Sequence, residues 1–466
     1  MTNAWKLPMD AVIAHDAGIR EMRLSELLSA LCLALDMTES QPAGHCLRCC
    51  WIGTHIGQEI GLSEPKLWEL YYTLLLKDLG YSSNAARICE LYLTDDLKFK
   101  YSVKKFDGGL PQVLRFALAH TGLKGSLAER FHALVNVVQN GGQIARELIE
   151  TRGQHGAEIA RKMRFSEAVA QGIQNLDEHW DGGGMPMRAR GPAIPIYSRI
   201  ALLAQVIDVL HTGHGIEAAR REARQRTGTW FDPQLVRAFE RIADRPHFWD
   251  TLRSPNLHPA ICALEPGQRV KMVDEDYLDD IAAAFAKVVD WKSPYTSGRS
   301  ERVTLFTDMI AAKLGLSAER RRRLKRAALL HDIGRLGVSN AILDKPGKLD
   351  PDEWSAVQMH VTYSETILSR IAAFKDLAPI AGAHHERLDG KGYPRGLKGD
   401  QIVLETRIIT TADIFDALTA ARPYRGAMSI SKALTIMTEG LGTAVDPDCF
   451  NALRQAIGGL GDILAA

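Results

Sequence analysis

Long apolar runs, strand-like alternation and an excess of either charge are all scarce in this chain. The richest apolar stretch, Leu24 to Met37, is interrupted by Ser25, Glu26 and Ser29 and falls short of the roughly 18 residues that a membrane span requires. The opening MTNAWKLPMDAVIAHDAG lacks the basic-then-apolar layout of a signal peptide. Lys and Arg total 57 against 56 Asp and Glu, a formal net charge of +1. That balance excludes bulk nucleic acid or an anionic membrane as the main partner, yet leaves room for one small phosphorylated ligand held by a local basic cluster. The cysteines are seven, an odd number, and scattered, which excludes a secreted disulfide framework and points to a reducing cytoplasm. With 46% hydrophobic and 24% charged residues over 466 positions, the composition is globular and the length allows two or three domains.

Helical periodicity fills most of what is there. In LSAERRRRLKRAALLHDIG, Leu324, Ala327, Ala328 and His331 share one face and the arginines the other, with Ser317 as N-cap and Gly334 as stop. The Arg320–Arg323 run therefore reads as a solvated helix face. LSEPKLWELYYTLLLKDLG repeats the design with Ser63, Pro65 and Gly80. The best strand candidate is the short QRVKMV at 268–273.

Those two helices belong to an internal repeat. GHCLRCCWIGTHIGQEIGLSE (44–64) lies over GRSERVTLFTDMIAAKLGLSA (298–318) at an offset of 254, which persists to Lys77-Asp78 over His331-Asp332. EHWDGGGMP (178–186) lies over ERLDGKGYP (386–394), and IALLAQVIDVL (200–210) over IITTADIFDAL (408–418), at an offset of 208. TGTWFDPQLV (227–236) answers LGTAVDPDCF (441–450) at 214. The drop from 254 to 208 places an insertion of about 46 residues in the first copy, between Gly80 and Arg152. The fold expected is all-α: two tandem helical bundles, 1–243 and 276–466, with a Pro-containing connector at 244–275.

The second half gathers His331-Asp332, His360, His384-His385 and Asp413 within about 80 residues. Imidazoles and carboxylates together suit Fe, Mn, Ni or Zn, and the absence of cysteine from the set argues against structural zinc. A carboxylate bridging two such ions would let them share a hydroxide, the nucleophile of two-metal phosphoester hydrolysis.

LLHDIGR, HHERLDGKGYP and TADIFDALTAARPYR resemble the HD-GYP domain of bacterial cyclic-di-GMP phosphodiesterases, a helical branch of the HD phosphohydrolases. The resemblance covers essentially all of 276–450. It implies two HD-type bundles, the second a metal-dependent phosphodiesterase in which a metal-bound hydroxide attacks cyclic di-GMP or a relative such as cyclic GMP-AMP. Carried over by position, Asp332 bridges two divalent ions, Fe or Mn. His360, His384 and His385 hold one of them, and His331 and Asp413 the other. Arg335 stands where the family has lysine, and with Arg422 and Arg425 it would face the ligand phosphates. Gly392, Tyr393 and Pro394 form the loop that the family associates with diguanylate-cyclase (GGDEF) partners. Homodimerisation, the product and what the first half senses are left open.

One position departs from the pattern. The family's first ligand histidine belongs in GHSxRV, and here Arg299 stands in its place. Arg299 is a permanent cation without an available lone pair. Water could replace the ligand in a weaker bimetallic site; a single ion could remain; or the guanidinium could sit where the ion would be and pair Asp332 or Asp413. The last outcome would leave a cyclic-dinucleotide receptor or interaction module. In the first half the corresponding positions read His45, Lys77, Asp78, Arg152, Leu176-Asp177 and Gln205, and Met185 replaces the loop tyrosine. That half is expected to be a degenerate copy without metal chemistry, serving regulation or dimerisation. His45-Cys46-x-x-Cys49-Cys50 lacks a second ligand pair for zinc, so its thiols are expected in the core, as are Trp5, Trp51 and Trp68.

Overall fold

Helices make up every extended regular element among the described residues of the computed structural model, which are 22–92, 94–103, 127–254, 257–267, 272–421 and 425–465. β-pairing among them is confined to isolated bridges. The all-α expectation holds. Of the strand candidate, 268–271 falls outside the described residues and Met272 forms a single bridge to Arg23.

The chain divides into two units, 1–275 and 276–466. The principal helices of the first are α1 (Leu24–Thr38), α2 (His45–Glu59), α3 (Glu64–Leu76), α4 (Leu127–Lys162) and α5 (Ile196–His214). Those of the second are α6 (Glu275–Asp290), α7 (Arg299–Lys313), α8 (Ala318–Leu330), α9 (Pro351–Ser369), α10 (Leu404–Thr419) and α11 (Pro447–Ala465). The offsets read from the sequence carry α2 onto α7, α3 onto α8 and the start of α5 onto that of α10. The segment 244–275 is helical in part: Pro246–Arg253 and Leu257–Leu264 pack in the first unit, the latter against α1 and α2.

In the second unit α7 is central, packing on α8, α10 and α11. Val303, Ile310 and Ala311 recur at helical spacing and are buried, and Phe306 meets Phe415 of α10 edge-on at 4.9 Å between ring centroids. Leu324, Ala327, Ala328 and His331 form the buried stripe of α8, and the Ser317 side chain caps it. The arginines of its other face are paired, Arg321 with Asp308 at 2.8 Å and Arg320 with Glu405 at 2.5 Å. Cys46, Cys49 and Cys50 lie wholly in the core, as expected. Trp51 is buried too, Trp68 packs on Tyr72 and Phe165, and Trp5 lies outside the described residues.

After α8 the chain turns through His331 and Asp332 and runs against α9. Gly334 donates to the Ser364 hydroxyl at 2.9 Å, and that hydroxyl donates to the His331 carbonyl at 2.7 Å. A Cβ on Gly334 would collide with the His360 carbonyl, and one on Gly80 with the carbonyl of Arg152 at the equivalent place. This close approach brings His331, Asp332 and His360 together. Gly334→Ala is expected to destabilise the protein by about 1–3 kcal/mol in denaturant unfolding, the cost of overpacking, and to lower metal uptake by shifting His360. Unchanged stability would show that the contact is not tight.

Candidate metal centre

The centre begins with a helix start. Asp290, the last residue of α6, accepts from the backbone N–H and hydroxyl of Ser300, the latter at 2.7 Å. A carboxylate there satisfies otherwise unpaired N–H groups and suits the helix dipole. It anchors the first turn of α7 and leaves Arg299, its first residue, 3% exposed.

Three histidines are oriented by one local device. His331 Nδ1 donates to the Ala328 carbonyl, His360 Nδ1 to Val357 and His384 Nδ1 to Ala381, each at 2.6 Å and three residues back. A carbonyl only accepts, so each Nδ1 carries a proton and each Nε2 is the nitrogen turned into the cluster. His360 Nε2 and His384 Nε2 then face one another at 3.3 Å. That spacing lets one cation lie against both. Ligand atoms of His360, His384 and His385 lie within 4.8 Å of one another, as do those of His331, Asp332 and His384. Asp332 Oδ1 is 3.3 Å from His360 Nε2, and His331 Nε2 is 3.3 Å from Asp332 Oδ2. Thr410 on α10 donates to the His384 carbonyl at 2.8 Å and fixes this segment. The donor set and its spacing fit a divalent transition metal at His360, His384, His385 and Asp332 Oδ1.

Electrostatics divide the cluster. Burial drives His384 well below the ordinary histidine range and His385 down to about 3, helped by neighbouring imidazoles, so both are neutral ligands at pH 7. Burial also opposes the charge on His331, but Asp332 and Asp413 outweigh it and raise its pKa to about 10. Burial would raise Asp332 and Asp413. Arg335 and His331 hold the first well below the carboxylate range, and Arg299 and His331 the second.

Arg299 occupies the other side of the cluster. Its Nε donates to Asp332 Oδ2 at 3.2 Å, one terminal nitrogen to Asp413 Oδ1, and the other to Asp416 Oδ2 at 3.4 Å. Asp416 also accepts from Arg302 Nε at 2.6 Å. Arg335 lies with Nε 2.9 Å from Asp332 Oδ1. Arg425 spends two nitrogens on the carbonyls of Leu418 and Ala417, at 2.9 and 2.6 Å, at the end of α10. Arg422 is outside the described residues. The loop Gly392-Tyr393-Pro394 folds onto the cluster. Tyr393 N–H donates to the His385 carbonyl at 3.2 Å, its ring stacks on the His385 ring at 4.9 Å, and a Cβ on Gly392 would strike the backbone of 385–387.

The HD domain family matches residues 126–235 and 283–449. A 3'3'-cGAMP-specific phosphodiesterase of Vibrio cholerae is 57% identical over 439 residues, 94% of this chain and 95% of that protein. The chain belongs to the HD-GYP phosphodiesterase family. A crystal structure of a cyclic GMP-AMP-specific phosphodiesterase of V. cholerae matches at TM-score 0.64 and 52% identity, covering 94% of this chain and 98% of its own. The cyclic di-GMP phosphodiesterase response regulator RpfG of Xanthomonas campestris is 40% identical over 36% of this chain and 46% of its own length.

Within this HD-GYP chain, sequence reasoning missed Asp416, Arg302 and Trp354. The first two were legible in the repeat, because Asp208 and Arg48 stand at the equivalent positions and pair at 2.6 Å. Trp354, on α9, is 46% exposed and meets the Tyr393 ring edge-on at 5.9 Å.

The first unit carries ion pairs at the equivalent positions. Lys77 Nζ contacts Asp78, donates to His45 Nε2 at 3.0 Å and to Gln205 Oε1 at 3.1 Å. Burial opposes its charge, but Asp78 wins and raises its pKa. His45 is closed off on its other side by Asp208, 2.7 Å from Nδ1. Arg152 and Asp177, at the positions of His360 and His385, pair with each other.

Because His331 is raised from 6.5 to about 10 in the folded, metal-free protein, its contribution to stability is complete below pH 6.5 and lost as pH rises through 10. Melting in chelator across that range is expected to fall with pH, and His331→Asn to flatten the slope. An equal slope in the variant would assign it elsewhere.

Proposed function

We propose that this chain is a metal-dependent phosphodiesterase that opens a 3'3'-cyclic dinucleotide, cyclic GMP-AMP in preference to cyclic di-GMP. The observation that carries the chemistry is the facing pair of nitrogens, His360 Nε2 and His384 Nε2, 3.3 Å apart with Asp332 Oδ1 3.3 Å from the first. The preference for cyclic GMP-AMP is supported by the relative that matches both units at 57% identity and carries that specificity in its name.

His360, His384, His385 and Asp332 would hold an ion such as Mn or Fe. When bound, it supplies Lewis acidity toward a phosphoryl oxygen and acidifies water for attack on phosphorus. The protein's own contribution is positioning. The Nδ1 bonds to backbone carbonyls lock the imidazoles in the ligating tautomer. Arg299 pairs with Asp332 Oδ2, and Oδ1 faces His360 with Arg335 alongside. Arg335, half-buried beside Asp332, offers a guanidinium to the anionic diester. Arg425, tethered to the end of α10, keeps N–H groups beyond the two already committed, and Arg422 stands three residues before it. Trp354 and Tyr393 give a purine base an aromatic surface next to His385. One water is consumed for each P–O bond broken, and the first product is the linear dinucleotide. The first unit, with its ligand positions closed by ion pairs, serves regulation or dimerisation.

Purified protein reconstituted anaerobically with Mn or Fe is expected to convert cyclic GMP-AMP to linear product faster than cyclic di-GMP, followed by chromatography. His384→Ala and Asp332→Asn are each expected to lower kcat by about 100-fold or more, the scale of losing one transition-state electrostatic contact. Trp354→Ala is expected to raise KM about tenfold at little cost in kcat, the size of one stacking interaction. Tight binding without product over hours would instead make the protein a receptor.

A further inference from the structure

We infer that the second unit holds one metal ion, and that the Arg299 guanidinium permanently fills the place of a second. The inference rests on the phosphodiesterase reading only in taking the histidine cluster as a metal site.

A second ion beside the first would need Asp332 Oδ2, Asp413 and His331. Two of these three are already committed to a buried cation. Arg299 reaches Asp332 Oδ2 at 3.2 Å, Asp413 Oδ1, and Asp416 Oδ2 at 3.4 Å, so its three nitrogens meet three different carboxylates. A guanidinium has no lone pair to ligate with and keeps its charge when buried. It therefore cannot join the coordination sphere, and a divalent ion at the same carboxylates would face it at close range in a low dielectric. Expelling it would leave an unpaired charge in the interior. Nor is it free to swing away: Asp290 ties the first turn of α7 through Ser300, and Arg302 holds Asp416 from the other side at 2.6 Å.

The first unit solves the same problem with a different residue. There the Lys77 ammonium meets Asp78, His45 Nε2 and Gln205 Oε1, the equivalents of Asp332, Arg299 and Asp413. In each half, then, a side-chain cation neutralises the buried aspartate of the Asp78/Asp332 pair. The second unit differs in turning the other oxygen, Asp332 Oδ1, toward His360, with the less buried Arg335 beside it. Arg299 is thus a positioning residue, orienting Asp332 and balancing Asp413 so that a mononuclear centre is complete.

The test counts metal. Protein loaded with Mn and desalted is expected to carry one ion per chain by elemental analysis and to give the six-line electron paramagnetic resonance signal of isolated Mn(II). Arg299→His is expected to carry two ions and to show an exchange-coupled signal. Should that variant fail to fold, Asp413→Asn serves: its metal content is expected to match wild type, because Asp413 pairs with Arg299 and not with the ion. Two ions in wild type, or loss of metal in Asp413→Asn, would overturn the inference. Hydrolysis of cyclic GMP-AMP, assayed separately, keeps the two readings apart. One ion without turnover would defeat the function and leave this inference standing. Two ions with turnover would do the reverse, and no ion at all would defeat both.

Discussion

A carboxylate buried at the end of a helix must meet a cation or lose its charge, and each half of this protein is organised around one. Asp78 and Asp332 follow equivalent helices, α3 and α8, and both lie in the interior. The glycines two residues later, Gly80 and Gly334, let the turn press against α4 and α9 so closely that a methyl group would not fit. The carboxylate consequently sits at the meeting point of the bundle, and what neutralises it decides what the unit can do. Lys77 neutralises Asp78 from the adjacent position. Arg299 neutralises one oxygen of Asp332 from α7, and the other faces His360 and His384 with Arg335 beside it.

The divergence of the two halves follows from that exchange. Where the second unit has His331, His360 and His385, the first has Lys77 and an Arg152–Asp177 pair, so side-chain charges pair with one another at those positions. Truncating one member of a buried pair is costly, about 3–5 kcal/mol, whereas charges that pair with one another keep each buried charge beside an opposite one. His45 survives in the first unit, but Asp208 and Lys77 hold both of its ring nitrogens. His45 is one link in a salt-bridge network.

Much of this was legible in the sequence because it depends on spacing. The offset of 254 fixes the coincidence of α2 with α7 and α3 with α8, and the histidines and aspartates of the second half follow from the same register. What was not legible depends on side-chain direction. Spacing allowed water, vacancy or guanidinium at the position of Arg299, and only the geometry of three carboxylates around it separates them. Asp416 and Arg302 could have been found by asking which other charged pairs the repeat preserves. Trp354 could not, since an exposed aromatic on α9 has no counterpart in the motif. Arg425 was expected at the ligand phosphates; two of its nitrogens cap α10, an arrangement set by where that helix ends. The stretch 244–275 read as a connector from its prolines, but the apolar faces of Pro246–Arg253 and Leu257–Leu264 pack into the first unit.

The most direct measurement is anomalous diffraction at the manganese edge from crystals of the metal-loaded protein. One peak per second unit, ringed by His360, His384, His385 and Asp332, with Arg299 still between Asp332 and Asp413, is the expected result. A second peak against Asp413 and His331, with Arg299 displaced, would contradict it.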